Sequence, residues 1–259
     1  HLTVETILQG EGWNTGWEHL LAIGANSAAI TERSFGVPDG VSNGQFGIGL
    51  VIDFFGLAAK NSGMPVEFVY PSQTAIVPAN IALIEGAKSS EAGKRFIEYT
   101  LSEEGQMLLL DPKISRLPVL PSIYAKAPAG YPNPFGGTIQ AKVNFDSNLS
   151  ETRYYVVVSL FDQMITFRHK ELAAAAKAVF DADKRLAGRK SAALDEARKL
   201  VFAPVIDDKQ GSDKALLALF KAKKTDADAS KAKAKVEEEW ATKAKANYAR
   251  AVELANGAK

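Results

Sequence analysis

The sequence predicts an α/β fold with a parallel-type sheet, followed by an α-helical C-terminal extension. An apolar run at Phe46 to Ile52 is typical of a buried strand, a helical segment follows it, and a second strand is predicted at Val66 to Tyr70. A strand, helix, strand order of these lengths requires a crossover, which makes the two strands parallel. After Phe145 the composition changes to alanine, lysine and acidic residues, which indicates helices.

Amphipathic spacing and turn residues place further elements around this core. An apolar stripe predicts a helix at residues 15–29, and a loop containing Pro38 is expected at residues 34–40. Helices are predicted to start at Ser89 and Ser90, continuing through Thr100, and again at Ser102, because serine followed by glutamate is a common helix N-terminus. Residues 111–142 are too rich in proline and glycine for a regular element.

The last part of the chain is predicted to form a helical hairpin or small bundle. Helices are expected at Ala192 to Phe202 and at Ala227 to Ala255. Runs such as KAKAK at residues 231–235 alternate with Glu237 to Glu239, so a solvated face is favoured over nucleic-acid binding. Before these two helices the sequence predicts one long helix with an apolar stripe, because apolar residues recur three and four positions apart at Tyr154, Val157, Val158, Phe161, Met164, Ile165 and Leu172.

Composition and charge exclude several classes of function. The chain of 259 residues has 31 basic and 30 acidic side chains, so no overall field attracts nucleic acid or anionic membrane. It has no cysteine, which excludes disulfides, iron–sulfur clusters and thiol catalysis. His19 and His169 lack a metal-binding spacing, and no nucleophile and base are assembled, so we predict no enzyme, no metal and no cofactor.

Asp53 is the first candidate for a ligand contact, because parallel sheets bind ligands beyond the carboxyl ends of their strands. Its carboxylate is suited to accept hydrogen bonds from hydroxyl or ammonium groups, and the ring of Phe54 is suited to cover an apolar or sugar face. Two alternatives stay open. In one, Asp53 caps the following helix instead of contacting a ligand. In the other, Phe54 and Phe55 both belong to the core.

The stretch VSNGQFGIGLVIDFFGLAAKNSGMPVEFVYP, at residues 41–71, resembles the second-lobe core of bacterial extracellular solute-binding proteins of ABC importers. The similar branch contains ferric-ion, sugar-phosphate, phosphoglycerate and phosphonate binders. The resemblance continues from Thr74 to Leu110, through Gly-Ala-Lys and a helix that ends in Leu-Ser-x-x-Gly-Gln, and stops near RLPVLPSIY. It covers roughly residues 11–135, about half of the chain.

The resemblance implies a periplasmic-binding-protein-like second lobe in a chain that lacks most of its first lobe. Residues 1–110 are then the solute-binding lobe and the return crossing to the first lobe, residues 111–145 a linker or wrap, and residues 146–259 a helical extension. The implied function is to capture a small polar organic anion, phosphorylated or carboxylated, in an interlobe cleft. The implied partner is an ABC permease in the inner membrane, and the implied location is the periplasm, after removal of a signal peptide.

An alternative function is ligand sensing, in which the helical tail docks a membrane sensor kinase. A second copy of the chain is another partner that would cover the apolar stripe of the tail. Under either function we expect the tail to be dispensable for solute binding.

Further candidate contacts rest on the resemblance and on turn positions. Arg33 and Ser34 match a polar ligand loop of relatives, and Arg33 could instead pair with Asp39. Gln73 and Thr74 follow the second predicted strand, where relatives line the cleft, although ordinary turn chemistry also explains Thr74.

The first prediction concerns iron. Ferric-binding relatives carry adjacent tyrosines where this chain has Phe54 and Phe55, which offer no oxygen ligand. We therefore expect no ferric-phenolate charge-transfer band when the protein is mixed with ferric citrate and its visible spectrum is recorded. A purple or red-brown complex of one-to-one stoichiometry would contradict this.

Overall fold

The computed structural model describes residues 1–259, which divide into two compact units. The helical unit comprises His1–Ile30 and Asp146–Lys259, and the central unit comprises Thr31–Phe145. No helix combines the length and the apolar character that crossing a bilayer requires. The α-helices are α1 (Leu2–Glu11), α2 (Trp13–Asn26), α3 (Gly36–Ser42), α4 (Asp53–Asn61), α5 (Ser90–Leu101), α6 (Glu103–Met107), α7 (Ser147–Met164), α8 (His169–Leu186), α9 (Ala192–Phe202), α10 (Asp208–Gly211), α11 (Lys214–Lys221) and α12 (Ala227–Gly257).

The prediction of an α/β fold with a parallel sheet is wrong. The chain is 61% helical and contains no strand and no sheet. The helix between the two predicted strands is present as α4, but Phe46 to Ile52 and Val66 to Tyr70 run without regular secondary structure on either side of it.

The predicted strands fail because neither has a backbone partner. A strand is stable only when a neighbouring segment accepts and donates along its length, and no ladder of backbone hydrogen bonds forms at either segment. Their apolar side chains are accordingly uncovered: Ile48 is 88% exposed and Val69 is 80% exposed. The spacing of apolar residues therefore identified an apolar segment, but it could not supply a second segment to pair with it.

Short helices of the central unit follow the predicted signals closely. The hydroxyl of Ser102 accepts a hydrogen bond from the Gly105 N–H and caps α6, and α5 begins at Ser90 as predicted. The loop predicted at residues 34–40 is partly wrong, because α3 begins at Gly36 and includes Pro38 in its first turn, a position that proline tolerates. Residues 111–142 contain only one 3₁₀ turn, at Pro121–Lys126.

In the helical unit, α1 and α2 pack together with the helices that follow residue 145. Trp17 and Leu21 of α2 are completely buried and share one core with Leu160 of α7, Leu172 of α8 and Ala251 of α12. Gly24 allows α2 to approach closely, since a Cβ there would lie 2.6 Å from a methyl group of Ile165. Burial of this face of α2 thus depends on residues more than a hundred positions later.

The single long helix predicted across Tyr154 to Leu172 is two helices. α7 ends at Met164, a 3₁₀ turn covers Thr166–Arg168, and α8 begins at His169. The guanidinium of Arg168 donates to the carbonyl oxygens of Gln163 and Ala241, so the break satisfies a carbonyl near the end of α7 and links it to α12.

A buried ion pair joins the first helix to α7. Glu5 is fully buried, and the guanidinium of Arg153 donates to its carboxylate at 2.8, 2.9 and 3.2 Å. The amide of Gln9 donates to the same carboxylate at 3.0 Å, and Arg153 lies over the ring of Trp13 at 5.6 Å. The carboxylate is thus surrounded by donors in a site without access to bulk water.

We predict that Glu5→Gln lowers the free energy of unfolding by about 3–5 kcal/mol, because it leaves the buried guanidinium of Arg153 without its counter-charge. Urea unfolding followed by circular dichroism measures the change. Glu253→Gln is the matched control, since Glu253 pairs with Arg250 on the exposed surface and its loss should cost less than about 0.5 kcal/mol. Equal effects of the two substitutions would contradict the role given to the buried pair.

Candidate functional site

Six polar and aromatic side chains converge on the N-terminus of α4 in the central unit. They come from α4, from the segment after it, and from the proline-rich segment. We call this group the Asp53 cluster; its members are Asp53, Phe54, Tyr70, Arg116, Tyr124 and Tyr131.

Asp53 is the first residue of α4, with Ile52 at the N-cap position. One carboxylate oxygen accepts a hydrogen bond from the Phe54 N–H at 2.8 Å, and the other accepts from the hydroxyl of Tyr70 at 3.0 Å. A carboxylate in the first turn also interacts favourably with the helix dipole. The carboxylate is half-buried, and each of its oxygens has a lone pair left to accept a further donor.

Arg116 supplies the only cation of the cluster. Its guanidinium carbon lies 3.7 Å from the centroid of the Phe54 ring, which is the geometry of a cation–π stack. The side chain of Arg116 is exposed and makes no hydrogen bond or ion pair within the protein. The ring of Phe54 therefore orients the planar guanidinium of Arg116, and its N–H donors remain free to bind a ligand.

Two tyrosine hydroxyls hold the backbone around Arg116. Tyr131 donates to the carbonyl oxygen of Arg116 at 3.1 Å, and Tyr124 donates to that of Pro118 at 2.8 Å. The N–H of Arg116 in turn donates to the carbonyl of Leu109 at 3.0 Å. An irregular segment is thereby held in one conformation by side-chain hydrogen bonds rather than by a helix or sheet.

The three tyrosines of the cluster resist ionisation. Burial raises the pKa of Tyr131 to about 12, with a further contribution from the negative charge of Asp53. Burial is also the main cause of the raised pKa of Tyr70, followed by Asp53, which accepts its hydrogen bond. The pKa of Tyr124 is raised in the same direction, first by burial and then by Tyr131 and Asp53. At neutral pH all three phenols therefore act as hydrogen-bond donors.

The other candidate contacts predicted from sequence do not join this cluster through any hydrogen bond or ion pair. Arg33 and Ser34 are exposed, with side chains that bond to nothing within the protein, and Arg33 does not pair with Asp39. Gln73 is half-buried. The buried hydroxyl of Thr74 donates to the carbonyl of Pro71 at 2.6 Å, as in an ordinary turn. A ligand role for Arg33, Ser34, Gln73 and Thr74 stays a prediction.

Of the six residues in the Asp53 cluster, the sequence predicts Asp53 and Phe54 as ligand contacts and does not predict the other four. Tyr70 ends the second predicted strand, just as Asp53 follows the end of the first. This matching position at a strand end was a signal in the sequence that Tyr70 lies near Asp53. Arg116, Tyr124 and Tyr131 lie in the proline-rich stretch, where no periodicity indicates which side chains face inward. His169, which lacks a metal-binding spacing, lies 3.1 Å from the carbonyl oxygen of Gly24 through its ring Nε2.

The raised tyrosine pKa values predict a loss of stability in alkali. Above about pH 10 the tyrosines of the unfolded chain release protons while those of the folded cluster retain them, so the free energy of unfolding falls as the pH rises towards about 12. Tyr70→Phe removes one such group and should make this slope shallower. Urea unfolding between about pH 9 and pH 11.5 measures the slope, and Tyr99→Phe, on α5, is the control. An unchanged slope in Tyr70→Phe would contradict the effect.

Comparison with known proteins gives a consistent family assignment. Residues 1–137 match the family model described as bacterial extracellular solute-binding protein. The phosphoglycerate transport regulatory proteins PgtC of Salmonella typhimurium and Salmonella typhi are each 33% identical to this chain over 223 residues. The alignments cover 85% of this chain and 53% of each relative, so the chain spans about half the length of the curated relatives it matches. No solved structure matches the chain significantly.

The family match contains all six residues of the Asp53 cluster. The alignment with the two relatives is longer than the region matched by the family model, so it extends into the helices after residue 137. Because the family model matches more than half of the chain, the protein belongs to the family of bacterial extracellular solute-binding proteins.

Proposed function

We propose that the protein binds a small phosphorylated or carboxylated organic solute at the Asp53 cluster, as the substrate-binding component of an ABC importer in the periplasm. The stacked and otherwise unbonded guanidinium of Arg116 is the observation that carries this proposal. Guanidinium groups recognise phosphate and carboxylate through two parallel hydrogen bonds, and stacking on Phe54 reduces the freedom lost when those bonds form.

The remaining groups of the cluster restrict the chemistry of the solute. A carboxylate near the anion site repels an anion that has no donor of its own, so Asp53 favours a solute that also carries a hydroxyl group. Tyr70 holds that carboxylate by donating to one of its oxygens. A short hydroxy acid phosphate satisfies both Arg116 and Asp53. Phosphoglycerate has these groups, and the relatives named above are described as phosphoglycerate transport regulatory proteins.

A second function, sensing of the solute for a regulatory partner, is favoured by one observation. The relatives are described as regulatory proteins, and their similarity to this chain extends into the helical unit, beyond the region that holds the cluster. In this alternative the helical unit contacts a membrane sensor kinase. The two functions share the same binding site and differ in the partner that responds to occupancy.

Calorimetric titration with 3-phosphoglycerate tests the site. Arg116→Gln removes the charge and the forked N–H donors but keeps a polar side chain, and we expect affinity to fall by about 1.5–3 kcal/mol, which is roughly tenfold to a hundredfold. Asp53→Asn should weaken 3-phosphoglycerate more than phosphoenolpyruvate, because phosphoenolpyruvate has no hydroxyl group to donate to the carboxylate. 2-Phosphoglycerate and phosphoenolpyruvate complete the panel.

Arg95→Gln is the matched control for this titration, since Arg95 is an exposed arginine on α5 that makes no hydrogen bond or ion pair. Its affinity should equal that of the unmodified protein. If Arg116→Gln binds the solutes as tightly as Arg95→Gln does, the Asp53 cluster is not the binding site. If the unmodified protein binds none of the panel, the proposed class of solute is wrong.

A further inference from the structure

A cleft that is separate from the Asp53 cluster lies within the helical unit, between α2, α9 and the segment that links α9 to α10. Its volume is about 470 Å³, which is within the range of about 300–1,000 Å³ that is usual for small-molecule sites. α2 contributes Asn14 and Glu18, four residues apart and so on one face of the helix. α9 contributes residues with the same kind of spacing, among them Lys199 and Phe202.

The linking segment that forms one wall of the cleft is held rigidly. The indole N–H of Trp13 donates to the carbonyl of Ile206 at 3.0 Å in a buried position, and the ammonium of Lys243 donates to that of Val205 at 2.6 Å. Gly211 lies against the ring of Trp13, where a Cβ would come within 2.6 Å. The cleft is therefore preformed, which lowers the cost of ordering the protein on binding.

The surface of the cleft is partly apolar. Phe202, Pro204 and Ile206 line it, and the rings of Phe202 and Phe180 have their centroids 6.5 Å apart. Phe202 and Ile206 are themselves buried, at 9% and 8% exposed, so an aromatic or branched aliphatic body of a ligand would contact only the parts of them that face the cleft, together with the half-buried Pro204.

Two opposite charges in the cleft are unused. Glu18 and Lys199 come from different helices, and neither side chain is paired with the other or with any other residue. The other charged groups are already engaged: Arg198 is bound to Asp183 at 2.6 and 2.7 Å and to Asp195 at 3.3 Å, and Asp207 caps α10 by accepting from the Gln210 N–H. An ammonium and a carboxylate on one ligand would satisfy Glu18 and Lys199 together.

We propose that this cleft binds a small zwitterion with an apolar body, of the class of aromatic α-amino acids. The ammonium lies at Glu18, the carboxylate lies at Lys199, and the ring lies against Phe202, Pro204 and Ile206. This site goes beyond the proposed function, since it takes a different class of ligand in a different unit of the protein.

Nuclear magnetic resonance titration of the protein with L-phenylalanine tests the site, with 3-phenylpropionate and 2-phenylethylamine as ligands that each lack one charge. Both analogues should bind at least about tenfold more weakly than L-phenylalanine, which corresponds to about 1.4 kcal/mol. Glu18→Gln should weaken L-phenylalanine and leave 3-phenylpropionate unchanged. Lys199→Gln should weaken L-phenylalanine and leave 2-phenylethylamine unchanged.

Ala203→Trp tests the location, because Ala203 lines the cleft and a larger side chain there fills it. Ala192→Trp is the control at an exposed position of α9 that is not part of the cleft. A cooperative melt of each variant establishes that it is folded. Binding should be lost in Ala203→Trp and retained in Ala192→Trp. Absence of saturable binding to the unmodified protein, binding that survives Ala203→Trp, or equal binding of all three ligands would overturn the proposal.

Discussion

The buried pair of Glu5 and Arg153 connects segments that are 148 residues apart in the chain, and the helical unit is organised around this connection. Removing two charges from water costs several kcal/mol for each ion, and their attraction roughly offsets that cost. The pair therefore contributes less to net stability than to specificity. A displacement of α1 that separated Glu5 from Arg153 would leave both charges buried and unpaired, so the observed position of α1 is favoured.

The buried pair also lies beside aromatic residues of α2. Trp13 lies against the guanidinium of Arg153 and donates to the backbone of Ile206, which places the segment between α9 and α10. Trp17, one turn later on α2, is completely buried in the common core. Through Trp13, α2 thus connects the buried ion pair to the wall of the cleft between α2 and α9.

Local sequence patterns predicted the helices well and the tertiary arrangement poorly. α5, α6 and α9 begin or end where serine, glutamate and proline indicate, because these signals act within one helical turn. The break after Met164 depends on Arg168 reaching the backbone of α12, which no local pattern contains. The expected sheet required pairing between separate segments, and the apolar spacing of Phe46 to Ile52 describes only one of the two sides. In the site, Asp53 follows the apolar segment and begins α4, so local sequence patterns point to it, whereas Arg116 reaches Phe54 only through the folding of the proline-rich segment.

The helical unit is discontinuous in sequence, and this has a consequence for how the protein is made. α1 and α2 are synthesised before the rest of the helical unit, and the residues that bury Trp17 and Leu21 follow only after residue 145. During that interval the two helices expose an apolar face and a carboxylate that lacks its guanidinium partner. Closing so long a loop costs conformational entropy before any contact is gained, so folding of this unit is expected to wait for the synthesis of α7 to α12 and to be comparatively slow. The exposed face of α2 makes a nascent chain in this state prone to aggregation.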